Sequence, residues 1–166
     1  MQGFTEIFNK HYQYLTGDAE KVELIYESQL LNDEFAFLLK KSIERDRFLE
    51  RTTAGIHKDD LQFIIHGLPM KKFGSQGQQK SFLIALKLAQ YTFLTQQKGF
   101  KPLLLLDDIF DKLDDKRVTK LMQMVSDNDF GQVFITDTSL NRVEAIFNNM
   151  GVPVKLFKVN GGEIDA

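Results

Sequence analysis

The run Leu103-Leu104-Leu105-Leu106-Asp107-Asp108 sets two carboxylates directly after four apolar residues. Such a run suits a strand buried on both faces of a parallel sheet, and the C-terminal ends of those strands are where open α/β sheets hold ligands. Paired acids at that point suit a hard cation and a phosphate. One carboxylate reaches Mg²⁺, directly or through water, while the next orients or deprotonates the attacking water. On that logic Asp107 is the metal residue and Asp108 the water-polarising one. A buried strand that merely ends in an acidic turn is the common alternative.

A second candidate lies upstream in Phe73-Gly74-Ser75-Gln76-Gly77-Gln78-Gln79-Lys80-Ser81, just before a long amphipathic segment. A Gly and Ser loop at a helix N-terminus offers free backbone N–H groups to an anion, reinforced by the helix dipole. A simple N-cap with a flexible entry turn accounts for the same residues. Gly74 to Ser81 also approaches the phosphate-loop pattern G-x-x-x-x-G-K-[ST], but Gln79 stands where the second glycine is required. The half-charged Met70-Lys71-Lys72-Phe73 stands where a buried strand should lead in, and no other segment qualifies.

The elements that must position these residues fall into two parts. Residues 1–53 read as a mostly helical segment. Phe4, Ile7, Phe8 and Tyr12 recur at helical spacing, Gly17-Asp18 turns, and Val22, Leu24 and Tyr26 alternate like a strand. A longer helix is expected from about Asp33, with Phe35, Leu38, Leu39, Ile43 and Phe48 on one side. Lys40, Lys41, Arg45, Arg47 and Arg51 lie among its other positions, interleaved with Glu44, Asp46 and Glu50, which favours a solvated face over a DNA-contacting one. Residues 54–166 alternate strand and helix, the grammar of an α/β domain. Its strands are Leu61 to His66, Leu103 to Leu106, Val133 to Thr136 and Val154 to Val159. Its helices run from about Gln76 to Gln97 with Gly99 as terminator, from near Asp114 with Val118, Leu121, Met122 and Val125 inward, and from the N-cap Ser139 to Gly151.

Read as Ser75-Gln76-Gly77-Gln78, the loop resembles the signature sequence of ABC-type ATPases through Ser75, Gly77 and Gln78. The signature helix of those proteins leads into Walker B, which Leu103 to Asp108 resembles, and Lys112-Leu113-Asp114 resembles the D-loop that follows. Asp114 doubles as a helix cap. A switch position, usually histidine, comes after the next strand, where Phe134-Ile135-Thr136-Asp137 offers Thr136 and Asp137. Together with Thr53-Ala54-Gly55-Ile56-His57-Lys58-Asp59-Asp60-Leu61, these strings resemble the RecF family of DNA replication and repair proteins. That family has a Gly-Pro-His-Arg-Asp-Asp element, a Gly-Ser-Gln-Gly-Gln-Gln signature and a double-aspartate Walker B. Here Ile56 replaces the proline and Lys58 the arginine. The likeness is good over residues 53–140 and loose over the first fifty. Taken separately, His57, Asp59 and Asp60 are a polar turn leading into a strand.

The resemblance implies part of an ABC/SMC-like P-loop ATPase head that lacks the Walker A lobe, with a smaller, mostly helical N-terminal part belonging to a second lobe. It implies ATP and Mg²⁺ as ligands, with the signature acting in trans on the nucleotide of a partner subunit. It further implies an ATP-dependent homodimer that clamps gapped or single-strand-to-duplex DNA, supports RecA loading in recombinational repair, and has RecR and RecO as partners. Walker A lies near the N-terminus in such proteins, so this chain resembles a C-terminal part. It is expected neither to bind ATP tightly nor to hydrolyse it alone. Two alternatives stay open: a self-contained P-loop NTPase with a degenerate phosphate loop at Gly74 to Ser81, and a non-catalytic module that binds DNA or a partner.

Bulk properties agree with a folded domain of ordinary size: 166 residues, 43% hydrophobic and 27% charged. Cysteine is absent, which excludes disulfides and thiolate metal sites. A net charge of −2 gives no global field that would attract nucleic acid, so DNA contact would need a local patch. Apolar runs such as Leu103 to Leu106 fall far short of the roughly 20 residues that span a bilayer. The opening residues lack signal-peptide grammar, and a cytoplasmic address without membrane association is the expectation.

Overall fold

The computed structural model describes every residue except 1, 18–19, 111–112, 128–129, 149–152 and 166. The turn expected at Asp18, the Lys112 of the D-loop resemblance and the helix stop at Gly151 lie outside the described residues. The chain forms two compact units, residues 1–90 and 91–166. Residues 54–90, which the sequence division assigns to the α/β part, fall in the first of them.

In the first unit α1 (Gln2–Thr16) leads to β1 (Val22–Glu27) and then α2 (Phe35–Leu49). The chain continues through β2 (Asp60–Ile65), β3 (Leu68–Pro69) and the single turn α3 (Met70–Phe73) into α4 (Gln76–Lys98). The strand expected at Leu61 to His66 exists as β2, but it is no member of a parallel sheet. It pairs antiparallel with β1, Leu24 opposite Phe63 and Tyr26 opposite Leu61, and β3 pairs with its end. The return to β3 has a local cause: His66 and Gly67 both take positive φ, 49° and 78°, the two-residue turn that folds β2 back on β3. The core joins Phe8 and Tyr12 of α1 to Phe82 of α4, with ring centroids 4.7 and 5.9 Å apart, and Phe63 of β2 completes the cluster at 4.8 Å. By contrast the apolar side expected of α2 is not buried in this unit. Leu38 and Leu39 are half-covered, while Phe35, Ile43 and Phe48 are exposed, Phe48 at 86%.

The second unit carries β4 (Leu104–Asp107), α5 (Asp115–Ser126), β5 (Val133–Thr136) and α6 (Leu140–Asn148). β4 and β5 are parallel, Leu105 opposite Phe134 and Asp107 opposite Thr136. α5 is the crossover that a parallel pair requires, and it buries Val118, Leu121, Met122 and Met124. The run of four leucines predicts burial on both faces. Instead Leu104 and Leu106 are buried while Leu103 and Leu105 are exposed, at 63% and 65%, because in this chain one face of the strand pair lies open. Ahead of β5, the Gly131 N–H donates to the Tyr91 hydroxyl at 2.9 Å, and the Tyr91 ring packs edge-on against Phe130. The strand expected over Val154 to Val159 shortens to β6 (Lys158–Asn160), which pairs antiparallel with β7 (Glu163–Asp165) across Gly161 and Gly162. No helix among the described residues is long and apolar enough to cross a membrane.

Candidate functional site

β4 delivers its last residue, Asp107, beside Thr136 of β5. The Thr136 hydroxyl donates to Asp107 Oδ1 and accepts the Asp108 N–H at 3.2 Å. Asp108 takes a left-handed backbone, φ +46°, which turns the chain away from the strand direction. Both acids are exposed, whereas Leu106 before them and Ile109 and Phe110 after them are buried. Apolar residues on either side thus anchor an acidic corner that points to water. Asp107 Oδ2 has no hydrogen-bond partner among the described residues and remains an oxygen donor for a hard cation. No group of three or more His, Cys, Asp and Glu able to hold a metal occurs among the described residues. The donor set therefore suits an ion that takes one or two carboxylates and fills its other positions with water or phosphate, which is the habit of Mg²⁺.

The two switch candidates part company. Thr136 faces the acidic corner, but Asp137 turns its side chain, only 1% exposed, towards the start of α6. There it accepts the Ser139 N–H at 2.6 Å and meets Arg142 Nη1 at 3.5 Å. Asp114 is the N-cap of α5, accepting the Arg117 N–H at 3.0 Å with the Arg117 guanidinium 3.3 Å away.

The Ser75 turn closes on itself. Gln78 N–H donates to Ser75 Oγ at 3.2 Å and Ser75 N–H donates to Gln78 Oε1 at 2.9 Å, a reciprocal capping box. Gln79 Nε2 donates to the Gly74 carbonyl at 2.8 Å. A side chain on Gly74 would place its Cβ 2.5 Å from Met70 Sδ and 2.8 Å from the Met70 carbonyl, so the turn tolerates only glycine. The N–H groups of Gln76 and Gly77, in the first turn of α4, have no intrahelical acceptor. Gln79 and Lys80 stand on that helix, and the single turn α3, rather than a strand, precedes it. Gly74 to Ser81 is therefore a helix start and lacks the strand-to-loop form of a phosphate loop.

His57 and Asp59 lie on the turn between α2 and β2, and Asp60 opens β2. His57 Nε2 is 3.2 Å from Thr52 Oγ1 and 3.1 Å from the Thr52 carbonyl, and Asp60 Oδ1 accepts the Leu61 N–H at 2.8 Å. Asp59 Oδ2 accepts from the Tyr26 hydroxyl. The nearby Ser28 hydroxyl and the Tyr26 phenol hold the Asp59 carboxyl below the usual carboxylate range, and Asp59 in return pushes the Tyr26 phenol up. Sequence reasoning missed the residue that fixes this turn. Asp46, by sequence one charge of a solvated face, accepts the Thr53 N–H at 2.9 Å, the Thr53 hydroxyl at 2.6 Å and the Ser42 hydroxyl at 2.8 Å. Those bonds, the Thr53 hydroxyl foremost, lower its pKa. The Ser75 turn and the His57 turn belong to the first unit, the acidic corner to the second.

Known proteins share this arrangement of elements. No protein-family model matches the chain. The DNA replication and repair protein RecF of Flavobacterium johnsoniae is 54% identical over 159 residues, 96% of this chain and 44% of that protein. RecF of Parabacteroides distasonis is 49% identical over 164 residues, 99% of this chain and 45% of that protein. The chain thus spans somewhat under half the length of these relatives. A solved structure of the recombination mediator protein RecF-ATP in the RecFOR pathway matches with a TM-score of 0.68 at 25% identity, covering 99% of this chain and 43% of that one. An SMC ATPase studied for ATP-driven dimerization shares the fold at a TM-score of 0.55 and 12% identity.

Proposed function

The chain belongs to the RecF family, and on that premise we propose that it is the signature-bearing and Walker B-bearing part of an ATP-dependent DNA-binding protein of recombinational repair. The observation that carries this reading is the acidic corner. Two carboxylates sit at the C-terminal end of a parallel strand, with Asp107 braced from the neighbouring strand and one of its oxygens open. In this reading Asp107 is the Mg²⁺ residue, Asp108 polarises the attacking water, and Asp114 serves the D-loop. Asp107 would hold Mg²⁺, which when bound would supply neutralisation of charge developing on a phosphate. Ser75, Gly77 and Gln78 address the nucleotide of a partner subunit in trans. The cap supports that role chemically. Ser75 Oγ already accepts the Gln78 N–H, so its own proton is available to an anion, next to the outward N–H groups of Gln76 and Gly77.

The complete protein then dimerises on ATP around gapped or single-strand-to-duplex DNA in the cytoplasm, supports RecA loading and works with RecR and RecO. The chain itself neither holds ATP tightly nor hydrolyses it, because no phosphate-cradling loop and lysine accompany these halves. Titration calorimetry with ATP and Mg²⁺ should give no micromolar binding. Micromolar affinity that disappears in Lys80→Ala would instead support a self-contained NTPase. For the trans role, the position that aligns with Ser75 can be changed to alanine in the full-length Flavobacterium johnsoniae relative. ATP-dependent dimerisation, read by sedimentation, should be lost, and its survival would sink the composite pocket.

A further inference from the structure

The hydroxyl of Thr136 is already engaged on both sides. A threonine hydroxyl has one proton to donate and two lone pairs to accept with. In this chain the proton goes to Asp107 Oδ1 and a lone pair takes the Asp108 N–H. A residue that senses a γ-phosphate must donate to it, and Thr136 has nothing left to give. Asp137, the other occupant of the switch region, is an acceptor whose side chain is buried against the start of α6. Neither residue is equipped to read a phosphate.

We propose that Thr136 is instead a positioning residue that fixes the acidic corner: it orients the Asp107 carboxylate so that Oδ2 faces a divalent cation and holds Asp108 in its left-handed turn. Three features support this beyond the two hydrogen bonds. Thr136 is the register partner of Asp107, so strand pairing itself sets the separation. As a β-branched residue in a strand, Thr136 has few χ1 choices and keeps its hydroxyl aimed. Asp108 is one of only three non-glycine residues with positive φ among the described residues, a conformation that needs an external hold, and its N–H is one of the two groups Thr136 engages. A hydroxyl that satisfies one carboxylate oxygen also leaves the other as a single, directed ligand, which suits an ion that demands near-octahedral geometry.

The inference rests on the metal reading of Asp107 only for its cation half, and the test separates the two. The unaltered chain, Thr136→Val and Thr136→Ser are compared by amide exchange in ¹H–¹⁵N NMR and by titration with Mn²⁺ alone, read as paramagnetic broadening. Loss of one hydrogen bond should speed exchange of the Asp108 amide about fivefold in the valine variant, and the serine variant should match the unaltered chain. Mn²⁺ should broaden residues 107 and 108 first, and the valine variant should need severalfold more of it. Thermal melting reports whether the valine chain stays folded; if it does not, the serine variant decides, since slow Asp108 exchange there supports the bracing hydroxyl. Equal Asp108 exchange in the valine and unaltered chains, or fast exchange in the serine variant, would overturn the assignment. Absence of selective broadening in the unaltered chain would remove the cation role of Asp107, while the exchange comparison still decides what Thr136 does.

Discussion

The Ser75 turn and the Asp107 corner are both exposed polar ends of regular elements, yet they are held by opposite means. The turn is closed by residues three apart in sequence, each satisfying the other's backbone N–H. The corner is held by Thr136, 29 residues from Asp107, and exists only once β4 and β5 have paired. A local cap of the first kind survives on helix propensity and one tight glycine. A non-local brace of the second kind depends on the parallel strand pair and its crossover helix. The Ser75 end is therefore expected to be the more rigid of the two, and the acidic end the one that responds to its surroundings.

The largest blow to the self-contained turn is Gly74→Ala. Its Cβ would meet the Met70 carbonyl at 2.8 Å, and a backbone atom cannot swing aside as a side-chain tip can. The expected cost is about 1–3 kcal/mol, seen as a fall of several degrees in thermal midpoint. A melting curve that matches the unaltered chain would mean the turn is looser than described. Next comes Ser75→Ala, which removes the N-cap acceptor and should cost about 1 kcal/mol, whereas Ser75→Gly should cost only a few tenths. Equal losses for the two would point to a role for Ser75 other than capping. Smaller again is Asp108→Gly. Glycine adopts positive φ freely, so relief of the left-handed backbone should offset the added chain entropy and leave stability within about 0.5 kcal/mol. A loss well beyond that would show that the Asp108 side chain, and not only its N–H, helps hold the corner.

Much of this was legible in sequence where the cause is short-ranged. The Ser75 to Gln78 spacing announces a helix start, Asp114 a cap for α5, and Gly99, with φ +73°, the end of α4. The apolar run before Asp107 marks the acidic strand end, and strand pairing sets Thr136 opposite it. What escaped was partner choice. Nothing in Leu61 to His66 says that it pairs with β1 rather than with β4, because alternation fixes a face and not a neighbour. The hairpin hint at His66-Gly67 was available, but it fixes only the return to β3, while the pairing with β1 joins segments distant in sequence. Asp46 looked like one of several interleaved charges, and only folding brings Thr53 to it. Thr136 and Asp137 are adjacent and both polar, yet Thr136 ends β5 at the acidic corner while Asp137, just past the strand, caps the start of α6. The open faces of α2 and β4 escaped for a different reason, since an apolar pattern states that a surface is to be covered but not by what.

The Asp46 anchor lies between the two kinds of hold, because it sits in the same unit as the Ser75 turn and reaches from α2 to Thr53, seven residues on. Its folded pKa lies below the ordinary carboxylate value owing first to the Thr53 hydroxyl. A depressed carboxyl contributes stability that is fully present above the unfolded pKa, near 4, and is lost as pH falls through the folded value. The variant Asp46→Asn would keep an acceptor for Thr53 but carry no charge to titrate. The unaltered chain should therefore melt slightly above that variant at neutral pH, with the gap constant down to about pH 5 and closing below about pH 4. Thermal midpoints taken from about pH 7 to about pH 3 measure that gap across the carboxylate range. A gap that held constant to the acid end would mean that the Asp46 charge contributes nothing and that neutral hydrogen bonding alone ties Thr53 to α2.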